Sequence, residues 1–294
     1  MPGGGGFIAP MLPTLADEPP AGEGWSHEIK HDGWRCQLVL EQGRGQAYTR
    51  NGRDLTLPCR RLLDELADRV ARDLVVDGEL IVQDEQGRSD FHALPAALAG
   101  HSGRLVFQAF DLLQLEGRDL RGERCDERRA RLEELLGPNE PRFGIQYSAA
   151  WPEGAPLLAL AHVHRLEGIV SKRRASRYAS GRSRNWLKIK CFMTDELVLV
   201  GTLREAGKPA TALLARKTGD GLGYAGTAAI TLGGEARDAF WQLAESLGRG
   251  TPPLILRRPG VAWVEPRLLL AVRTLRGERQ LRHATIQGIL GLEE

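Results

Sequence analysis

Residues 25–40 read Trp-Ser-His-Glu-Ile-Lys-His-Asp-Gly-Trp-Arg-Cys-Gln-Leu-Val-Leu, and this stretch constrains the fold more than any other. Its pattern around Asp32-Gly33 predicts strand, tight turn, strand. The turn carries Lys30-His31-Asp32-Gly33-Trp34-Arg35, which sets a primary amine and a guanidinium close together at a strand end. Lysine can lose its proton and act as a nucleophile, a change that neighbouring cations such as Lys188 and Lys190 would favour. Arginine stays charged and is suited to gripping phosphate. Taken alone, the segment fits a plain surface hairpin equally well.

Four further stretches share a theme of charge inside apolar strands. Val76-Asp77-Gly78-Glu79-Leu80 and Glu167-Gly168-Ile169-Val170-Ser171-Lys172 each place a carboxylate beside apolar residues. Phe107-Gln108-Ala109-Phe110-Asp111-Leu112-Leu113 offers an aromatic ring, and Trp186-Leu187-Lys188-Ile189-Lys190 puts two amines on one strand face. Thr49-Arg50-Asn51-Gly52 adds an arginine beside a turn. Each has a plain structural rival. Glu79 fits a solvated strand end, Phe110 fits a core, Trp186 fits packing, and Lys188 and Lys190 fit an edge strand protected from pairing. His27, His31, His162 and His164 lack metal-ligand spacing and carry no assigned role.

The use of cations sharpens the reading. Only six of the 40 basic residues are lysine, which leaves 34 arginines, and four of the six lysines (Lys30, Lys172, Lys188 and Lys190) fall in these stretches. Between Lys172 and Lys190 lie eight basic residues and no acidic one, although the net charge is only +2. That density attracts polyanions such as nucleic acid, with a solvated basic loop as the alternative. Cys36, Cys59, Cys125 and Cys191 are scattered without a paired spacing. They predict reduced thiols in a cytoplasmic protein rather than a zinc site or a disulfide framework. No signal peptide is expected from the glycine-rich Met1–Gly6 segment, and no apolar run is long enough to span a membrane.

Periodicity predicts helices at 60–72, 126–136 (capped by Asp126), 156–166 and 235–247. Strands are expected at 74–82 (broken at Asp77-Gly78), 105–113, 168–172 and 186–190. After Cys191 short strands dominate, at 197–203, 211–216, 222–227 and 267–273, with glycine-rich turns. Such a run with one helix fits a small Greek-key barrel of the OB type. The expected class is α+β, with domains at 1–192 and 193–294.

The ordered set of motifs resembles the covalent nucleotidyltransferase superfamily, and within it the ATP-dependent DNA ligases of the bacterial ligase-D and ligase-C type. K-x-D-G-x-R, D-G-E, F-D-L-L, E-G-I-V-S-K and W-L-K-I-K look like that family's nucleotidyl-transfer motifs, and Phe7–Leu12 looks like its opening segment. The likeness runs from about residue 7 to residue 290. It implies an ATP-grasp-like adenylation domain followed by an OB-fold barrel. Lys30 would take AMP covalently from ATP, while Lys188 and Lys190 would contact the α-phosphate. Glu79 and Glu167 would hold Mg²⁺ or Mn²⁺. Phe110 would stack on adenine, and Glu28 would read its exocyclic amine. Arg35 and Arg50 would receive the ribose and then the 5′-phosphate of a nick. Lys172, Arg173, Arg174, Arg182 and Arg184 would bind the nicked duplex. A monomer acting in end joining, with a Ku-type partner and domain closure over the nick, is the expected setting.

Two departures stand out. The family's basic R-x-D-K ending is not found after Gly288, which predicts impaired self-adenylation but intact sealing by preloaded enzyme, with Arg279 or Arg282 as substitutes. His31 stands where such ligases more often carry an aromatic. An RNA ligase, a capping-type nucleotidyltransferase and a degenerate, non-catalytic nucleic-acid-binding homologue remain the alternatives.

Overall fold

The computed structural model describes residues 6–100, 105–219, 221–275 and 281–293, the side chains of Leu275, Arg282 and His283 excepted. The two arginines named as substitutes for the basic ending, Arg279 and the Arg282 side chain, therefore lie outside the described part, as does most of Met1–Gly6. The chain divides into two compact units, Met1–Lys190 and Cys191–Glu294.

The first unit opens with β1 (Met11–Leu15), β2 (Trp25–Ile29), β3 (Trp34–Glu41), β4 (Arg44–Thr49), α1 (Arg60–Val70), β5 (Leu74–Val82) and α2 (Leu94–Leu98). It continues through β6 (Leu105–Leu115), β7 (Arg118–Asp119), α3 (Cys125–Leu136), β8 (Ile145–Tyr147), β9 (Ala150–Trp151), α4 (Gly154–Val163), β10 (Gly168–Arg173) and β11 (Gly181–Lys190).

One sheet orders its strands β4-β3-β5-β6-β7, with β8 parallel to β6. β5 and β6 are its central strands, and their long apolar runs suit burial on both faces. Alternation sends Cys36, Leu38 and Leu40 of β3 and Leu74, Val76 and Leu80 of β5 to one face. There they pack with Leu62, Leu63 and Leu66 of α1 and Leu132 of α3. Arg35, Val39, Val75, Asp77 and Glu79 therefore point to the opposite face. β6 carries a bulge, because Asp77 pairs with Asp111 while Gly78 pairs with Ala109. Phe110 is left unpaired with β5 there, as Leu113 is at a second bulge, and both join Val39 and Val75 on that second face. Asp77-Gly78 does not break β5, as its sequence suggested. The strand is continuous, and the irregularity sits in its partner.

The other sheet orders β1-β11-β10-β2-β9, with β1 parallel to β11. Trp186 of β11 and Met11 of β1 pack with Phe110 and Val75, forming a core between the two sheets. The strand–turn–strand at 25–40 is thus not a hairpin. β2 lies in one sheet and β3 in the other, so Lys30–Gly33 crosses between them. A Cβ at Gly33 would fall 2.3 Å from the Leu80 carbonyl oxygen, a clash that explains glycine there. Gly168 is tighter still: its φ is +148° and a Cβ would fall 2.0 Å from the Ile189 carbonyl. Helix α3 starts at Cys125, so Asp126 occupies the first turn rather than the cap, where its negative charge still complements the helix dipole.

The second unit comprises β12 (Phe192–Leu203), β13 (Thr211–Thr218), β14 (Gly221–Ala229), α5 (Gly234–Ser246), β15 (Gly248–Arg249), β16 (Val261–Val264), β17 (Leu268–Leu275) and β18 (Leu281–Leu292). Hydrogen-bonded neighbours run β13-β14-β18-β17-β12, and β12 also pairs with β13, so these five strands close a circuit. β16 and β15 extend it from β12. Inside lie Leu197, Leu214, Leu270 and Ile286 with Phe240 of α5. β18 was not foreseen as a strand. Its glycines and polar residues mask an alternation in which Ala284 and Ile286 point inward. Among the described residues no helix is long and apolar enough to cross a membrane.

Candidate active site

The face of β2, β10 and β11 that looks toward the first sheet carries the chemistry. Register places Glu28 opposite Val170 and Val170 opposite Lys188. In the next row Ser26, Lys172 and Trp186 align, and in the row beyond, Gly168 lies opposite Lys190. Lys30 follows β2 directly, and its amide donates to the Gly168 carbonyl at 2.9 Å, which keeps it in phase with Glu28. A period of two therefore brings Glu28, Lys30, Lys172, Lys188 and Lys190 onto one surface from three distant stretches. The opposite face is structural: His27 Nδ1 meets Ser171 Oγ at 2.8 Å, and Ile169 and Ile189 are buried.

Two adjoining clefts open on this surface. A narrow one of about 480 Å³ is walled by Glu28, Lys30, His31, Phe110, Val170 and Lys172, with Trp186 also contributing. An open one of about 1110 Å³ is lined by Arg50, Asn51, Trp34, Phe91, Arg182 and Lys188. Lys30, Arg35 and Glu79 belong to both, so the amine stands at their junction. Its Nζ is ion-paired to Glu167 Oε2, while Glu167 Oε1 lies 3.8 Å from Lys190 Nζ. Burial pushes the Glu79 carboxyl up to about 7; Lys30 and Arg35 oppose this and Glu167 adds to it. Burial, with Lys190, Lys30 and Arg182 close by, lowers the Lys188 pKa.

A family model of the ATP-dependent DNA ligase domain matches residues 12–190, the stretch that builds both clefts. The chain belongs to the ATP-dependent DNA ligase domain family. It is 42% identical over 204 residues to the multifunctional non-homologous end joining protein LigD of Pseudomonas aeruginosa, covering 68% of this chain and 24% of that protein. To the LigD of Mycobacterium bovis it is 31% identical over 301 residues, covering 96% of this chain and 38% of the relative. The chain thus spans well under half the length of these two relatives. A solved structure of mycobacterial DNA ligase D complexed with ATP and MES superposes with a TM-score of 0.60 at 30% identity, over 98% of this chain and 96% of that one.

Within this ligase fold some expected residues meet and others do not. Lys30, Glu28, Glu79, Phe110 and Arg35 line the narrow cleft, and Arg50, Arg182 and Lys188 the open one. Glu167 joins through its ion pair to Lys30, and Lys190 through its contact with Glu167. Arg35 is already engaged: Nε and Nη2 fork onto Asp77 at 2.7 and 2.6 Å, and the guanidinium lies 4.5 Å from the Phe110 centroid. Lys172 is a correction. Counted among duplex-binding cations, it is only 2% exposed. Its amine contacts Glu28, donates to the Phe110 carbonyl at 3.2 Å and sits 4.3 Å from the Phe110 and Trp186 ring centroids. Even-numbered side chains of β10 face inward, so a basic run read as one patch is split by the pleat. Arg173, Arg174, Arg182 and Arg184 remain exposed.

Several contributors to the ligase site were missed. Tyr178 donates to Asp77 Oδ2 at 2.6 Å and accepts from the Met11 amide at 3.0 Å, bracing the Arg35–Asp77 fork. Val170 lines the narrow cleft together with Phe110, and His31 lines it despite having been given no role. Arg129 reaches in from α3. One signal for it was present: Cys125, Arg128, Arg129, Leu132 and Leu136 form the buried stripe of that helix, with arginines where apolar residues belong.

Proposed function

We propose that the chain is an ATP-using DNA ligase that seals nicks bearing a 5′-phosphate and a 3′-hydroxyl. The observation that carries this reading is the position of Lys30, at the junction of a narrow cleft with an aromatic wall and a broader arginine-lined groove. In the first step the Lys30 amine gives up a proton and attacks the α-phosphorus of ATP. A P–N bond forms as the bond to pyrophosphate breaks. Lys188 and Lys190 stabilise charge on the α-phosphate oxygens, and Phe110 and Val170 clasp the base. In the second step a 5′-phosphate oxygen of the nick displaces Lys30, giving a DNA-adenylate. In the third the 3′-hydroxyl attacks that 5′-phosphorus and AMP leaves. Arg50 and Arg182 are placed to receive the 5′-phosphate, and Arg173, Arg174 and Arg184 the flanking backbone.

Glu79 and Glu167 fit a divalent cation shared between protein and nucleotide. Glu79 lines both clefts beside Lys30, and Glu167 is ion-paired to that same amine, so the two acids gather around one point. Two carboxylates plus substrate phosphates suit Mg²⁺ or Mn²⁺, which would supply charge neutralisation at the phosphates. The five-strand circuit of the second unit supports assignment as an OB-type barrel. The likeness to end-joining LigD proteins supports action in double-strand break repair; a monomer with a Ku-type partner completes the reading.

The test is a sealing assay on a 5′-phosphorylated nicked duplex, with adduct detection from [α-³²P]ATP and Mg²⁺ or Mn²⁺. Wild type should label and seal, and Lys30→Ala should do neither. Sealing by Lys30→Ala at the wild-type rate would sink the reading. Comparing ATP with GTP and nicked DNA with nicked RNA separates it from RNA ligase and capping chemistry.

A further inference from the structure

Glu28 is 2% exposed, yet it forms part of the narrow cleft. Two cations hold it. Lys172 Nζ lies 2.8 Å from Oε1 and 3.0 Å from Oε2, and Arg129 Nη1 lies 2.9 Å from Oε1. No N–H is well aligned on Oε1, so on that oxygen the hold is coulombic rather than a pair of formed hydrogen bonds. Arg129 is 4% exposed and does not line the cleft. Its other contacts are with the cleft's frame: Nη1 donates to the Phe110 carbonyl at 2.8 Å, and Nη2 to Tyr147 Oη at 2.9 Å and the Ser148 carbonyl at 2.6 Å. A guanidinium is planar and its donors are fixed relative to one another. Arg129 therefore ties the carboxylate of Glu28 to the backbone of Phe110, holding two walls of the narrow cleft together.

We propose that Arg129 is a positioning residue for nucleobase choice, acting through Glu28. This rests on the reading of the narrow cleft as an ATP site. A carboxylate flanked by two cations offers acceptors only. It takes the exocyclic N–H of adenine and confronts the carbonyl oxygen that guanine carries at the same position. A cleft built around such a contact discriminates because the wrong base leaves a buried polar group unpaired. Without Arg129, Lys172 alone holds Glu28, and the carboxylate swings toward that amine and away from the base.

The experiment measures Lys30 adduct formation by the full chain in single turnovers with Mg²⁺ or Mn²⁺. Its probes are ATP, GTP and purine riboside triphosphate, which lacks the exocyclic amine. Arg129→Met should raise the ATP concentration for half-maximal rate about ten- to hundredfold. The saturating rate and the purine riboside values should change little, so ATP preference falls. Arg129→Lys should lie between Arg129→Met and wild type. In a Glu28→Gln background Arg129→Met should add nothing to the loss of preference. Tyr147→Phe, which removes a different Arg129 partner, should keep the wild-type preference. Equal losses for ATP and purine riboside triphosphate, or a further fall in the Glu28→Gln background, would overturn the proposal. If circular dichroism shows Arg129→Met unfolded, Arg129→Lys decides, and a wild-type preference there overturns it. Absence of any adduct in wild type strikes the ATP-site reading instead.

Discussion

His31 follows Lys30 directly and lines the same cleft. Burial, with the Lys30 charge adding to it, pushes its imidazole down to about 4. In the unfolded chain it titrates near 6.5. The folded state thus binds fewer protons, so the stability linked to His31 is whole above pH ~6.5 and is lost as pH falls toward the folded value. The loss amounts to roughly 3 kcal/mol by pH 4. His31→Phe should flatten that part of the profile, raising stability near pH 4.5 and leaving it nearly unchanged at pH 8. Urea denaturation at the two pH values checks this, and parallel wild-type and variant profiles would refute it. At this scale the candidate residues that the fold brings together were legible because their types are chemically hard to replace: an amine where the chain otherwise uses arginine, acids in apolar strands. Tyr178 and Arg129 were not, because a phenol in a basic loop and an arginine on a helix become meaningful only through Asp77 and Glu28, partners about 100 residues away in sequence.

Among the elements, strand parity does most of the positioning. One alternation places Asp77 and Glu79 opposite the helix-covered face, and the bulge in β6 turns Phe110 toward them. Sequence patterning found β5 to the residue, and β6 and β10 to within two residues, because burial is written into each strand locally. It could not show that β2 and β3 part company, since an Asp-Gly turn looks the same whether it closes a hairpin or crosses between sheets. Gly33 is the test of that crossing. A methyl at that position meets the Leu80 carbonyl oxygen at 2.3 Å and Ile81 Cγ2 at 2.7 Å. Backbone cannot yield as a side chain end can, so Gly33→Ala should displace the Lys30 segment and cost about 1–3 kcal/mol. Thermal melting should show the loss. Adduct formation per folded molecule should fall as well, whereas Gly43→Ala, with open space and a positive φ of 73°, should cost stability alone. Equal adduct rates in the two variants would mean that the crossing does not aim the amine.

Over the whole molecule the charge is nearly balanced, +2 from 40 basic and 38 acidic residues, so any affinity for DNA has to come from arrangement rather than sum. The arrangement is made by the pleat of β10 and the exposed stretch that follows it. Lys172 turns inward to the narrow cleft, while Arg182, on the open groove, and Arg184 stay in solvent. Inward and outward cations answer salt differently. Each exposed arginine that neutralises a phosphate releases counterions and contributes about 0.9 to the slope of log affinity against log salt. A buried one contributes nothing to that slope. Binding of nicked duplex, measured by fluorescence anisotropy between 50 and 200 mM salt, should therefore lose about 1.8 in slope on Arg182→Ala with Arg184→Ala. Lys172→Met should leave the slope at its wild-type value while weakening adduct formation with ATP. If Lys172→Met lowers the slope as each arginine change does, the side chain reaches the duplex after all, and the division of this basic run into nucleotide-facing and DNA-facing cations is wrong.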